Sequence, residues 1–587
     1  MNFKFNLNNI DNINNINNID KLHNKFILEN NGNPLEPNIN NPWWSMLSHK
    51  TNLGDVNKDN IILITQFYID KDNKRQKEIL ETLKYNVNNK NIDKILLFNE
   101  KIYTKNEMNL TDNDLNKITQ INIGKRLKFN DIFNYIEDNK IKGYIIIANS
   151  DIFFDDNLFI LFKTNLINEK KIFSLLRFEH NKRGNHIFGP RGDSQDTWIF
   201  HSNYNIKKEQ SKIFNFELGI PGCDNHIIYL FMILGYKVYN EPYLIKTYHN
   251  HETQKRNYNN STKRITKPWI RLIPVTENKD GFIDRNDNWW RFNIIEENLQ
   301  LFNYIKNKLN NNKNFIIPRI AGVENNYAQM GMSILNNRKV GDNEMNYIKN
   351  TIGTMKNNAG IKLSDINSII KYSQLYLEAF NKCDIYFEWD PWGDVYKYIK
   401  GSHDFININF KNKKRLWAFT LDIFHNIYNN PWTQSLKGKR LLIVSPFKKS
   451  FEEKLPVLKE IYGVDLFPDC SFIFIKPPQT QGDCESKEFD KELDDFIHEV
   501  EKIKDDFDIA LCSCGGYGNL VCSKIYDMNK SAIYVGGVLQ MYFGVYGSRW
   551  MRERGAILRL FMNKHWSRPK EEEQPDGFKK VEGSCYW

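Results

Sequence analysis

The sequence predicts an α/β protein built from two Rossmann-like domains. Apolar runs of strand length alternate with charged or amphipathic segments of helical length in the first half, and again after residue 314. Strands that alternate with helices at this spacing are typical of a mostly parallel sheet with crossover helices. The chain has 587 residues, 41% of them hydrophobic and 14% aromatic, which is enough for two or three domains with separate cores.

Each predicted element is a short apolar run or an amphipathic stretch. In the first half, strands are predicted at 60–68, 92–98, 118–123, 144–148, 172–177, 197–200 and 238–239, with helices at 75–85, 130–136 and 226–234. In the second half, strands are predicted at 440–444, 472–475, 507–512 and 532–535, with a helix at 486–502.

Composition sets the expected domain boundaries. Residues 1–45 repeat Asn-Asn-Ile and Asn-Ile-Asp units, which bury little, and we expect a weakly ordered segment there. The first domain is expected at 46–296, a Lys- and Asn-rich helical linker at 297–313, and the second domain at 314–587.

Charge and cysteine content exclude several classes of protein. The formal charge of +10 is spread along the chain, which suits anionic substrates but not a nucleic-acid binder with a concentrated basic patch. The eight cysteines form no CxxC zinc motif. We find no apolar run long enough to span a bilayer and no signal-peptide core, so a cytoplasmic protein is expected.

Residues 144–156 are the most informative stretch. The buried strand Tyr144-Ile-Ile-Ile-Ala ends in Asn149-Ser150-Asp151, and Asp155 and Asp156 follow shortly after. Open α/β sheets bind ligands at this end of their strands, and carboxylates are ligands for hard divalent cations. The alternative is that these acids only cap a turn and the next helix; we favour that role for Asp155 and Asp156, and a metal role for Asp151.

Other polar residues of the first half also fall at strand ends and in loops, where binding chemistry belongs. Two histidines two residues apart on a strand share one face. The candidates are Thr65, Gln66, Arg126, Arg191, Asp193, Asp196, Trp198, Asp224, His249 and His251.

The arrangement of residues 60–255 resembles the GT-A glycosyltransferases, whose D-x-D motif ends the strand that corresponds to 144–148. The resemblance implies that Asp151 holds Mn²⁺ or Mg²⁺ against the donor diphosphate, and that His249 or His251 is a further metal ligand. Asn149 stands where many members have the first Asp, so metal affinity is expected to be lower. Asn149 would then bind a ribose hydroxyl, beside Thr65 and Gln66 in the donor site.

The resemblance also implies roles for the loop residues. Asp224, behind Gly222 at a helix start, is expected to be the base for an inverting transfer; a helix N-cap is the alternative. Arg191, Asp193, Asp196 and Trp198 are expected to bind the acceptor, or else to lie in a solvated loop. Arg126 and Arg191 could neutralise phosphate, with surface arginines as the alternative.

The second half contains a strand, a Gly-rich turn and a helix start at 508–520, followed by a second Gly-rich loop at 536–550. Such turns expose backbone N–H groups to phosphate, although tight helix packing explains them as well. An aromatic residue and an arginine in the second loop can contact a base and a phosphate. The predicted donor-binding residues are Gly515, Gly516, Gly518, Gly537, Gln540 and Arg549.

This half resembles the GT-D glycosyltransferases. Residues 318–324, Pro-Arg-Ile-Ala-Gly-Val-Glu, look like that family's Arg-x-Gly-Asp-Gly-Glu segment with its D-x-E motif. Gly322 replaces the first acid, so Glu324 alone is expected to act in catalysis. The sequence Asn430-Pro-Trp, the strand that ends in Ser445-Pro-Phe, and the terminal Val-Glu-Gly-Ser-Cys-Tyr-Trp are also similar.

We therefore expect a bifunctional glycosyltransferase that adds two sugars in succession to a growing glycan, from UDP-, GDP- or dTDP-sugar donors. The alternative is one active GT-A domain joined to a non-catalytic carbohydrate- or nucleotide-binding module. A structural or nucleic-acid-binding protein with two inert domains is a third hypothesis, which the absence of a basic cluster disfavours. Self-association into a homo-oligomer stays open.

Overall fold

The structure is a computed structural model. It describes residues 43–181, 184–188, 191–253, 264–265, 269–275, 294–337, 339–389, 402–427, 429–551, 558 and 561–587. The described residues belong to two compact units, one running from 43 to 275 and the other from 294 to 587. Both units are mixed α/β structures with parallel strands.

The strands of the first unit are β1 (Trp43–Leu47), β2 (Ile61–Thr65), β3 (Lys94–Asn99), β4 (Ile118–Asn122), β5 (Tyr144–Ala148), β6 (Ile152–Phe154), β7 (Lys171–Leu175), β8 (Phe178–Asn181), β9 (Gly184–Ile187), β10 (Thr197–His201), β11 (Lys237–Tyr239), β12 (Thr247–His249) and β13 (Trp269–Ile273). Its helices are α1 (Asn73–Asn88), α2 (Asp112–Leu115), α3 (Phe129–Asp138), α4 (Lys208–Ser211) and α5 (Cys223–Ile233).

Seven of these strands form one sheet in the order β11-β7-β10-β5-β2-β3-β4. Strands β5, β2, β3 and β4 are mutually parallel, whereas β10 runs antiparallel to both of its neighbours. Every residue of β5 is buried, as the continuous apolar run predicts. The residues that follow β5 are therefore attached to the carboxyl end of a rigid, buried strand.

A smaller sheet has the order β6-β12-β8-β9, and all four of its strands follow β5 in the sequence. Strand β12 pairs antiparallel with β6 and parallel with β8. In this register, His249 is opposite Ile152 on one side and Glu179 on the other. The small sheet thus brings together three segments that are far apart in the chain.

The strands of the second unit are β14 (Ile316–Ile317), β15 (Ile385–Glu388), β16 (Lys414–Trp417), β17 (Arg440–Val444), β18 (Ser471–Ile475), β19 (Ile509–Cys512) and β20 (Ser531–Tyr534). Its helices are α6 (Ile294–Asn310), α7 (Gly322–Asn337), α8 (Asp342–Ala359), α9 (Ile366–Lys382), α10 (Ser402–Asn409), α11 (Lys448–Glu452), α12 (Leu458–Tyr462), α13 (Phe489–Lys502), α14 (Gly518–Asp527) and α15 (Leu539–Tyr542).

The main sheet of this unit has the order β14-β20-β19-β17-β18, and all its strands are parallel. A short 3₁₀ turn, Gly515–Tyr517, connects β19 to α14. The predicted β-α-β unit around 508–535 is therefore present. Its strands are fully buried.

Helix α6 lies where we expected a linker, and it is bonded into the second unit. The side chain of Asn298 donates to the carbonyl groups of Asn429 and Asn430 and accepts from the backbone N–H of Trp432 at 2.9 Å. The buried Glu297 accepts from the backbone N–H of Trp417. This helix packs as part of the second unit.

The expected weakly ordered segment lies outside the described residues, except for 43–45. Those three residues belong to β1, which pairs in parallel with β13. Within the described part of the chain, no helix combines the length and the apolar character needed to cross a bilayer.

Candidate functional site

The first candidate site begins at the turn between β5 and β6. Asp151 is 7% exposed, and its carbonyl group accepts a hydrogen bond from the backbone N–H of Asn250 at 2.9 Å. That bond ties the turn to the residues that follow β12. Asp155, by contrast, accepts from the backbone N–H of Asn157 at 3.0 Å and caps the 3₁₀ helix Asp156–Lys163, as predicted.

Both predicted histidines lie beside Asp151. The Nε2 atom of His249 is 3.3 Å from Oδ2 of Asp151, and Nδ1 of His251 is 3.7 Å from the same oxygen. One ligand atom from each of the three residues lies within 4.8 Å of the other two. The structure therefore brings together the three residues that sequence patterns singled out as metal ligands.

Three charged residues that sequence reasoning missed complete this cluster. Glu179, on β8, lies 2.9 Å from Nδ1 of His249 through Oε2. Arg75, in the first turn of α1, donates from Nη2 to Oδ2 of Asp151 and from Nη1 to Glu78 at 3.0 Å. Arg75 is nearly completely buried, so both bonds lie out of water.

The network continues towards the loop that precedes β10. Arg177 donates from Nε to Glu179 at 2.9 Å and from Nη1 to Asp196 and to Ser194. Asp196 in turn accepts from the side-chain amide of Asn149 at 2.7 Å. Asn149 therefore binds a protein carboxylate in this structure, where we expected a ribose contact, and Asp196 is part of the network.

Burial and neighbouring charges shift the pKa values of this cluster. Burial alone would raise the pKa of Asp151, but His249 and Arg75 outweigh it and hold that pKa well below its usual range. Burial lowers the pKa of His249, yet Asp151 and Glu179 raise it to about 9. The pKa of Glu179 falls to about 2 because the hydrogen bonds and charges of His249 and Arg177 outweigh its burial. Burial and Arg75 lower the pKa of His251.

The donor set fits a divalent cation. One carboxylate and two imidazoles converge, and a carboxylate holds the outer ring nitrogen of His249, as is usual for metal-bound histidine. The linked carboxylates (Asp151, Glu78, Glu179, Asp196) outnumber the linked guanidinium groups (Arg75, Arg177) by two. With a pKa of about 9, His249 carries a proton that balances one of these charges, so a divalent cation that replaced this proton would balance both. Imidazole suits transition-metal ions, whereas Mg²⁺ prefers oxygen ligands.

Asp224 lies in the first turn of α5. The N-cap position is Gly222, with φ of +84°, so the N-cap alternative for Asp224 does not hold. A Cβ at Gly222 would also lie 3.1 Å from the carbonyl oxygen of Ile265. Burial, with a further contribution from the charge of Asp196, raises the pKa of Asp224 to about 7. A carboxyl group with this pKa can accept a proton near neutral pH.

Two of the predicted donor residues bind nearby backbone groups in this structure. Gln66 bridges the carbonyl of Lys125 at 3.1 Å and the backbone N–H of Leu127 at 3.2 Å. Arg126 donates to the carbonyl of Leu218 at 3.0 Å. Thr65 is buried at the end of β2.

The predicted acceptor residues separate into two groups. Trp198 is 0% exposed, in the middle of the large sheet with its ring edge-on to Phe129, so it cannot reach an acceptor. This corrects our expectation, since an aromatic residue on a central strand faces the core. Arg191 and Asp193 form an ion pair of 2.6 Å in the loop, and both are partly exposed.

The second candidate site is a cavity of about 560 Å³ within the second unit. It lies at the carboxyl ends of the parallel strands, which is where this sheet type binds ligands. Of the predicted residues, Glu324, Gly515, Gly537 and Arg549 line it. Residues that were not predicted, among them Arg319, Trp389, Tyr534, Glu582 and Tyr586, line it as well.

Glu324 has an unusual environment in this cavity. It is 7% exposed, and burial, with a smaller contribution from Glu582, raises its pKa to about 7. Glu582 pairs with Arg549 at 3.1 Å. A second acid thus lines the cavity, although Gly322 occupies the position of the missing motif residue. The sequence does not predict this role, because Glu582 is 258 positions from Glu324, in a terminal segment whose resemblance to the GT-D family implies no function.

Arg319 contributes a positive charge to the cavity wall. Its guanidinium carbon lies 4.7 Å from the ring centre of Tyr534 and 5.6 Å from that of Trp389. The Nη1 atom donates to the carbonyl of Val535 at 3.2 Å. Gly536, with φ of +76°, is required here, since a Cβ would lie 2.2 Å from the guanidinium.

Three of the predicted donor-binding residues have packing roles, which is a correction. A Cβ at Gly516 would lie 2.5 Å from Ile361, and one at Gly518 would lie 2.3 Å from the ring of Tyr534. Gln540 is buried and donates to the carbonyl of Val545 at 3.2 Å. These residues permit close packing and lie behind the cavity wall.

No protein-family model matches the chain, and no curated protein matches it. Solved structures match parts of it. A mannosyltransferase from Pyrobaculum calidifontis, in complex with GDP-mannose and Mn²⁺, is 11% identical and covers 42% of this chain and 69% of its own, with a TM-score of 0.26. A glycosyltransferase from Streptococcus sanguinis is 14% identical and covers 44% and 97%, with a TM-score of 0.22.

A further structure, a domain of unknown function numbered 1792, is 14% identical and covers 48% of this chain and 98% of its own, with a TM-score of 0.23. Two of these three neighbours are thus glycosyltransferases. Likeness at this level leaves the chemistry of the present chain to be argued from its own residues.

Proposed function

We propose that the chain is a bifunctional glycosyltransferase that uses nucleotide-sugar donors, with one site in each unit. The single observation that carries the proposal is the convergence of Asp151, His249 and His251 at the end of a buried parallel strand. Fusion of the two units would keep the product of the first transfer close to the second site.

In the first unit, Asp151, His249 and His251 would hold the cation. When bound, a divalent cation supplies positive charge to the diphosphate that leaves the sugar. Glu179 fixes the ring of His249, and the network through Arg177 holds Asp196 in place. These residues are set before substrate arrives, which is how positioning lowers a barrier.

Asp224 is the proposed base for a transfer that inverts the anomeric carbon. The acceptor hydroxyl oxygen bonds to that carbon, the bond to the diphosphate oxygen breaks, and Asp224 takes the hydroxyl proton. A carboxyl group with a pKa of about 7 is ionised in part at neutral pH and is a stronger base than an ordinary aspartate.

In the second unit, the cavity is the proposed donor site of the second transfer. Arg319 and Arg549 provide positive charge for a diphosphate, and Glu324 provides a carboxyl group with a pKa of about 7. One observation favours the alternative of a non-catalytic binding module, namely Gly322 in the position of the first motif acid.

The test is a thermal-shift and hydrolysis screen of the full chain with UDP-, GDP- and dTDP-sugars, with and without Mn²⁺. We expect stabilisation by at least one donor, loss of one hydrolytic activity in Asp151→Asn, and loss of a separate one in Glu324→Gln. No response to any donor would refute the proposal. Full activity in Glu324→Gln, with donor binding retained by the second unit, would favour the binding module.

A further inference from the structure

Arg75 occupies an unexpected position in the first site. Its Nη2 atom bonds to Oδ2 of Asp151, and that same oxygen is the one that both imidazoles approach. A guanidinium is a permanent cation, so it competes with any metal ion for this oxygen and repels that ion electrostatically.

Arg75 is held in place by its helix. Asp72 caps α1 and accepts from the backbone N–H of Lys74 at 2.9 Å and of Arg75 at 3.0 Å. The first turn of the helix is thereby fixed, and the side chain of Arg75 is nearly completely buried. Dissolved salt therefore screens the charge of Arg75 only weakly at the site.

Arg75 also has a second anchor. Its Nη1 atom donates to Glu78 at 3.0 Å and reaches the carbonyl of Asn250 at 3.4 Å. Glu78 is itself fixed, because it accepts from the backbone N–H of Thr253 at 2.8 Å and from its hydroxyl at 3.0 Å. Arg75 can thus lose its bond to Asp151 and still remain paired.

We propose that Arg75 is a positioning residue that competes with the divalent cation for Asp151, and that Glu78 retains Arg75 when the cation binds. This inference rests on the metal site of the proposed function. It adds that Arg75 sets the affinity of that site for the cation. A cation need only displace one of the two bonds of Arg75, so the site stays loadable although a guanidinium is built into it.

The experiment measures Mn²⁺ binding alone, by calorimetry and by the electron paramagnetic resonance of free Mn²⁺, on the full chain. Arg75→Gln removes the competitor, and we expect Mn²⁺ to bind roughly tenfold tighter than in the wild type. The Mn²⁺-dependent rise in melting temperature should grow accordingly, since a ligand stabilises only the state that binds it.

Glu78→Gln provides an independent variant with the opposite expected sign. Without the charge of Glu78, Arg75 depends on Asp151, so Mn²⁺ should bind more weakly. The matched control is Lys77→Gln, because Lys77 is on the same helix with its side chain 77% exposed, and we expect no change there.

The outcomes separate this inference from the proposed function. If Asp151→Asn abolishes Mn²⁺ binding but Arg75→Gln binds no tighter than the wild type, the metal site stands and the role of Arg75 is refuted. Binding in Glu78→Gln as tight as in the wild type would also refute it. If neither the wild type nor Arg75→Gln binds Mn²⁺, both proposals fail. Binding by Arg75→Gln alone would support the competition directly.

Discussion

Oε2 of Glu179 lies 2.9 Å from Nδ1 of His249, which leaves Nε2 as the ring nitrogen that faces Asp151. Since the carboxylate accepts from Nδ1–H, it fixes the ring orientation and leaves Nε2 as the nitrogen that would give up its proton to bind a cation. His249 is buried and Glu179 is partly buried, and the pair spans β8 and β12 of the small sheet.

Glu179→Gln should therefore weaken metal binding although it replaces none of the proposed metal ligands. Loss of such an outer carboxylate typically costs about tenfold to a hundredfold in affinity. We expect that range for Mn²⁺ titrated calorimetrically. Glu81→Gln, which neutralises an exposed acid on α1, serves as the control. Equal affinity in Glu179→Gln and the wild type would show that Glu179 does not orient His249.

Asp224→Asn should remove the base and lower the transfer rate by roughly a hundredfold to ten-thousandfold. In the wild type the rate should rise with pH through about 7, where Asp224 ionises. The variant should lose that rise. A pH–rate profile of transfer by the first unit checks both points, and an unchanged profile in the variant would contradict the assignment.

The same residue makes a prediction for stability. The folded-state pKa of Asp224, about 7, lies above the ordinary value of 3.8, so the folded state binds more protons between these two values. Stability from this group therefore falls as pH rises from about 4 to 7. Urea unfolding measures this at pH 5 and pH 8. The free energy of unfolding of Asp224→Asn, relative to that of the wild type, should be higher at pH 8 than at pH 5. A constant difference would argue against the raised pKa.

Glu582→Gln tests the second carboxylate of the cavity. Removing its charge should lower the pKa of Glu324, since Glu582 contributes to raising it. The pH midpoint of the second activity should therefore move to lower pH. Asp483→Asn is the control, because it removes a half-exposed acid paired with Lys580 and does not line the cavity. Equal shifts in both variants would reflect a general charge effect only.

Gly518→Ala distinguishes packing from phosphate binding. A Cβ there would lie 2.3 Å from Tyr534, so we expect a loss of about 1–3 kcal/mol in the free energy of unfolding. Gly353→Ala is the matched control in α8, where nothing lies within 4 Å and a neutral or slightly stabilising effect is expected. A neutral Gly518→Ala variant that lost donor binding would restore the phosphate role.

Apart from β14, the strands of the two large sheets were predictable, because most are short apolar runs in buried positions. The runs at 144–148 and 440–444, for example, are strands with those bounds in the structure. The small sheet β6-β12-β8-β9 was not predicted. Asp151 was found because it follows a buried strand and is a residue type that binds metals, whereas the resemblance to GT-A glycosyltransferases implied His249.

Arg75 and Glu179 could not be found in this way. Each is a single charged residue in a charged or half-polar segment, and their partners lie 76 and 70 positions along the chain. The pairing of β12 with β8 brings Glu179 to His249, and the packing of α1 against β6 brings Arg75 to Asp151. Trp198 and Gly518 were misjudged because residue type does not tell which side of a strand faces the core, or which ring fills the space beside a glycine.

The placement of β12 between β6 and β8 has a consequence for folding. The acid at position 151, the acid at position 179 and the histidine at 249 become neighbours only after the chain has been made as far as β12 and paired on both sides. A chain that ends before this strand lacks both histidines of the cluster, and a chain paired a single residue out of register has all the residues but no cluster. The free energy of cation binding is therefore available to the native sheet alone, and the ion would act as a selective stabiliser of the correctly assembled unit.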